Sequence, residues 1–171
     1  MKKNLTLTGM MGVGKSTIGK AVSKRLLMQF SDIDEIIENK LKMSISKIFE
    51  EKGEFFFRKF EEEISLHELA KKNIVVSLGG GAFMSSKIRK KVISSGKSFW
   101  LDLDTKLLEK RLFKSKKRPL LKNKNLGESL KKIYDERKAI YANANYRIDC
   151  NKLSANLISN KIIKIYANDQ T

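Results

Sequence analysis

Cysteine, proline, histidine and tryptophan each occur once in these 171 residues. A single cysteine, Cys150, rules out an internal disulfide and points away from a secreted, disulfide-stapled scaffold. The lone histidine, His67, falls on a helical stretch without ligand-spaced partners, which argues against a metal or catalytic role for it. Trp100 sits in a strand-like run and reads as core rather than as a cofactor platform. No apolar run nears the roughly 18 residues that a membrane span requires. The N-terminus lacks the apolar stretch of a secretory signal. A cytoplasmic protein that binds no membrane is the expectation. Internal repeats and low-complexity linkers are also absent.

What is present is a globular composition, 41% hydrophobic, at a length that suits one domain over residues 1–171. Lys and Arg number 36 against 19 acidic residues, a net charge of +17. Such a charge suits nucleic acid, or the steering of small anions into a cleft. The lysines are spread along the chain, and no RNA-recognition signature with interleaved aromatics is present. Nucleic acid is therefore not an expected partner.

The most informative stretch runs from Gly9 to Thr17 and reads G-x-x-x-x-G-K-[ST], the phosphate-binding loop. Asn4–Thr8 before it alternates polar and apolar residues, as a short strand does. After it, Ile18, Val22, Leu26 and Leu27 recur at near-helical spacing. Glycines let successive backbone N–H groups converge on phosphate oxygens. The helix N-terminus points its partial positive charge at the same anion. Lys15 can reach the outer phosphates, and the Ser16 hydroxyl suits a magnesium ion bridging them.

Further strand-like runs lie at Gln29–Ser31, Ile74–Leu78, Ser98–Leu103 and Tyr146–Cys150, each followed by a helical pattern and ending with Leu153–Ala167. This alternation predicts an α/β fold, a parallel sheet with helices on both faces and ligands at the carboxyl ends of the strands. After the second strand come Asp32 and Asp34. They suit magnesium binding through water and the orientation or deprotonation of a hydroxyl. Helix capping is the alternative use of Asp32. Ser44–Glu51 reads as a short helix that stops at Gly53. Beyond it, Phe56, Phe60 and Ile64 form one apolar stripe, the expected core face. Arg58 lies within pairing distance of Glu61 and Glu62, and a paired arginine can grip a carboxylate with two hydrogen bonds. The third strand runs into Gly79, Gly80 and Gly81, which suggests that a ligand or another backbone passes close. The usual acidic residue of that strand is replaced by Ser77, which leaves Asp32 to supply the metal's carboxylate. Residues 114–125 are polar, carry six basic side chains and lack periodicity, as a mobile lid does.

Together, the loop at 9–17, D-I-D at 32–34, G-E-x-x-F-R at 53–58, GGG at 79–81 and R-P-L-L at 118–121 resemble shikimate kinase. The likeness extends from Leu5 to about Asn151. It implies a P-loop kinase fold, a three-layer α/β/α arrangement on a five-stranded parallel sheet. It also implies ATP-dependent phosphorylation of the 3-hydroxyl of shikimate, with magnesium. ATP would meet Gly12, Val13, Gly14, Lys15, Ser16 and Thr17, with Arg111 stacking on adenine and Lys152 beside it. Ser16, and Asp32 through water, would hold the metal. Lys15 and the lid's Arg118 would stabilise the transferring phosphoryl group, and Asp34 would act on the reacting hydroxyl. Within the substrate segment 32–61, Phe49, Phe57 and Arg58 would contact shikimate. Gly79, Gly80, Gly81, Pro119 and Arg137 would complete that site. The implied partners are ATP and shikimate, on a monomer. Another small-molecule P-loop kinase, acting on gluconate or a nucleoside monophosphate, is the alternative. A non-catalytic nucleotide- or nucleic-acid-binding module is the reading from a different class.

Overall fold

The computed structural model describes residues 3–114 and 125–168. Five strands, β1 (Asn4–Thr8), β2 (Gln29–Asp32), β3 (Ile74–Ser77), β4 (Gly96–Asp102) and β5 (Tyr146–Asp149), form one sheet in the order β2-β3-β1-β4-β5. Every pairing is parallel. All residues of β1 and β3 are buried, as strands covered on both faces must be.

Among the described residues, seven α-helices surround the sheet: α1 (Lys15–Leu26), α2 (Ile33–Leu41), α3 (Ile45–Ala70), α4 (Ser86–Ser95), α5 (Thr105–Lys114), α6 (Leu126–Tyr141) and α7 (Ala155–Asn168). Gly19 of α1 packs close to Leu7 on one face of the sheet. Trp100 is in register with Thr8, so it faces the other way, and Tyr141 of α6 stacks on it there. The expected α/β/α layering follows from these two contacts. Among the described residues, no helix is long and apolar enough to cross a membrane.

The helix expected to stop at Gly53 breaks there: Gly53 takes φ 78° and ψ 167°, non-helical values that divide α3 into two arms across a kink. Ser44 caps its start by accepting from the Lys47 N–H at 3.3 Å. The buried stripe of its second arm is not Phe56, Phe60 and Ile64. It is Phe57, Glu61, Ile64, Ser65 and Glu68, while Phe56 is 36% exposed. Trp100 is buried, as expected. Cys150 packs just beyond β5, and burial pushes its thiol pKa up to about 11, which leaves it unreactive.

Candidate active site

The loop between β1 and α1 is built largely from backbone. Gly12 and Gly14 take φ of 78° and 104°, values at which any larger side chain is strained. Gly14 caps α1 without a side-chain bond, so no capping side chain stands where an anion would meet the helix N-terminus. Lys15 is almost buried and folds back over its own loop. Its Nζ donates to the carbonyls of Gly9 and Met10, both at 2.9 Å. Arg111 reaches across from α5 and donates to the Val13 carbonyl at 3.1 Å. That places Arg111 against the phosphate loop. Met10 is core, with its sulfur 3.9 Å from the Tyr141 hydroxyl, and the half-buried Met11 lines the adjoining cavity.

β2 delivers the two aspartates. Asp32, the last strand residue, is in register with Ser77. A carboxylate thus stands one strand over from Ser77. Asp32 also caps α2, its Oδ1 accepting from the Glu35 N–H at 3.3 Å. Asp34 follows in the first turn of α2. Asp32, Asp34, Ser16, Thr17, Lys15 and Gly12 share a cavity of about 190 Å³. No cluster of three or more His, Cys, Asp or Glu ligands exists among the described residues. Magnesium needs none: it takes oxygen donors, keeps much of its water and rests on one or two protein groups plus phosphates. One hydroxyl and one carboxylate beside a phosphate loop fit that requirement.

The three glycines after β3 separate this cavity from a second one. A Cβ on Gly79 would stand 2.2 Å from Glu61 Oε1 and 2.8 Å from Asp34 Oδ1, and one on Gly81 would stand 2.5 Å from Arg58 Nη1. Side chains of α2 and α3 fill the space at these two positions. At Gly80 the neighbour is backbone, the Met11 nitrogen 3.1 Å from a built Cβ. The second cavity, about 300 Å³, is lined by Arg58, Arg137, Glu61, Gly81 and Met84, among others. Arg58 donates to Glu61 at 2.7 Å and to Glu54 at 3.3 Å. Glu62 was the other partner the spacing allowed, but it accepts from Ser85 and Lys87 instead. The guanidinium of Arg58 also lies over Phe57 and Phe49, 5.2 and 5.7 Å from their centroids, and the two rings meet at 4.6 Å. Arg137 comes from α6 and donates to the Gly80 carbonyl at 3.1 Å.

Burial lowers the pKa of Arg58, but Glu61 and Glu54 outweigh it and the net shift is upward. Burial also raises the pKa of Glu61; the Asp34 charge adds to this and the Arg58 charge opposes it. One oxygen of Glu61, Oε1, is buried without a hydrogen-bond partner among the described residues.

Of the remaining expected site residues, Lys152 stands in the exposed turn between β5 and α7. Neighbouring Asn151 ties that turn to the start of α5 by accepting from the Asp104 N–H at 2.7 Å. Arg118, Pro119 and most of the lid segment lie outside the described residues. The sequence pattern gave no reason to single out Tyr141. A signal was available: an aromatic four residues after Arg137 shares its helical face.

The family model described as shikimate kinase matches residues 11–167. The chain belongs to the shikimate kinase family. A shikimate kinase of Bartonella quintana is 37% identical over 98% of this chain and 80% of its own length. A solved shikimate kinase from Acinetobacter baumannii, in complex with shikimate, superposes with a TM-score of 0.93. It is 30% identical, covering 99% of this chain and 96% of that one. A gluconokinase from Sinorhizobium meliloti gives a TM-score of 0.62 at 14% identity, covering 97% of this chain and 92% of that one; it shares the fold alone. The part matched to the shikimate kinase family takes in both aspartates, the three glycines and the two arginines of the second cavity.

Proposed function

We infer that this chain transfers the γ-phosphoryl group of ATP to the 3-hydroxyl of shikimate, within aromatic amino-acid biosynthesis. The carrying observation is spatial. Two arginines, Arg58 and Arg137, face one cavity, and only a glycine turn separates it from Asp34 and the phosphate loop. A carboxylate held by the arginines sets the ring so that a hydroxyl meets Asp34. Asp34 takes the hydroxyl proton as the oxygen attacks the γ-phosphorus. The bond from that phosphorus to the β-bridging oxygen breaks, and ADP leaves. Lys15 exchanges its loop carbonyls for the outer phosphate oxygens, where negative charge collects. Magnesium, held by Ser16 and through water by Asp32, would neutralise phosphate charge when bound.

Gly12, Val13, Gly14 and Thr17 supply backbone and hydroxyl donors to the phosphates, and Arg111 and Lys152 flank the nucleotide. Phe49 and Phe57 wall the ring, beside Gly79, Gly80 and Gly81. The segment 32–61 thus carries most of the acid-binding side. Arg118 and Pro119 join through the lid 114–125 on the sequence likeness alone. The net charge of +17 draws both anionic substrates to the cleft. Gluconate kinase remains the rival reading, since that fold is shared. A coupled ADP-release assay separates them. ADP should form with shikimate and not with gluconate or nucleoside monophosphates, and the reverse preference would overturn the assignment.

A further inference from the structure

One carbonyl oxygen joins three parts of the site. Gly80 O accepts from Arg137 Nη1 at 3.1 Å and from the Tyr141 hydroxyl at 2.5 Å. With both lone pairs used, the Gly80 peptide plane cannot rotate without losing a hydrogen bond. A Cβ on the same residue would stand 3.1 Å from the Met11 nitrogen, so the Met11 backbone passes close beside it. Tyr141 is fully buried, and its ring stacks on Trp100 with centroids 5.9 Å apart. Its oxygen is 3.9 Å from Met10 Sδ in the phosphate loop.

We propose that Tyr141 is a positioning residue for substrate binding: its hydroxyl fixes the Gly80 carbonyl that orients Arg137 toward the carboxylate of the acceptor. An arginine has five N–H donors. One spent on Gly80 leaves the rest of the fork for the carboxylate, but only if the carbonyl stays where it is. Burial raises the pKa of the Tyr141 hydroxyl, against the opposing charge and hydrogen bond of Arg137, so it keeps its proton and remains a donor. The packing of Tyr141 on Trp100 is a separate role. Phenylalanine would preserve that packing and remove only the donor.

This inference rests on the reading that Arg137 grips the substrate carboxylate, so Arg137→Ala serves as the reference. If Arg137→Ala leaves the KM for shikimate unchanged, the clamp reading itself fails. With the clamp upheld, Tyr141→Phe should raise the KM for shikimate about five- to tenfold, the usual size of one lost hydrogen bond. The KM for ATP and the melting temperature should hold. Adding Arg137→Lys to Tyr141→Phe should cost less than the two single changes combined, since the two side chains share one carbonyl and also meet each other. An unchanged shikimate KM in Tyr141→Phe overturns the proposal, and so does an equal rise in both KM values. If the variant melts below the assay temperature, shikimate binding is titrated in the cold by the fluorescence of Trp100, the sole tryptophan. The same criteria then apply.

Discussion

The phosphate loop and the second cavity lie on either side of Gly79–Gly81 and are built by opposite means. The loop is one contiguous run whose donors are largely backbone groups, and its cation, Lys15, donates to carbonyls of the same run. What matters there is spacing and glycine. The cavity gathers side chains from α3, the glycine turn and α6. What matters there is charge balance, because Glu61 and Arg58 are both drawn out of water. Backbone donors carry no net charge to desolvate, whereas a side-chain clamp must balance one before the ligand arrives.

The largest test of this contrast falls between the two halves. Asp34→Asn should cut turnover about 10²- to 10⁴-fold, the range for lost general-base help, with ATP still bound. Near-normal turnover would remove Asp34 from the chemistry. Next, Arg58→Ala should raise the KM for shikimate about ten- to a hundredfold, as expected for charge-assisted hydrogen bonds, and leave that for ATP in place. It also leaves Glu61 without its cation, so thermal stability should fall. Arg58→Met with Glu61→Gln should recover the stability but not the affinity. Recovery of both would mean that the arginine is structural only.

The smallest effect is on pH dependence. Glu61 has a raised pKa in the folded chain, so the folded state binds more protons than the unfolded one between the ordinary glutamate value and the raised one. The contribution of Glu61 is therefore fully present below that window and lost as pH rises through the raised value. Melting curves of the wild type should lose ground to Glu61→Gln as pH increases across the window. A constant difference would mean that Glu61 is not perturbed.

Legibility in the sequence followed the same division. Gly9–Thr17 could be read at once, because its chemistry is local and its strand and helix adjoin it. Asp32 and Asp34 were legible as a pair, and pairing within α3 was legible for Arg58 with Glu61. The choice of Glu54 over Glu62 was not, since Glu62 turns to Ser85 and Lys87 on α4. The core stripe of α3 was misphased for a physical reason. Phe55, Phe56 and Phe57 are consecutive, so some aromatic fits any phase, and the true buried face includes Glu61 and Glu68. Hydrophobic periodicity cannot register a buried carboxylate that has a partner. Arg137 looked like any solvated helix charge until the family likeness singled it out. Its tertiary partner, the Gly80 carbonyl, distinguishes it physically.

Because every strand points the same way, the candidate site lies along one edge of the sheet and the ends of the described chain along the other. β1 sets out toward the site and α7 returns from it, and the Tyr166 hydroxyl donates to the Lys3 carbonyl where they meet. The two ends of the described chain are therefore neighbours, remote from the substrates. Affinity handles, fused partners or a circular permutation that joins these ends would leave the approach of both reactants clear.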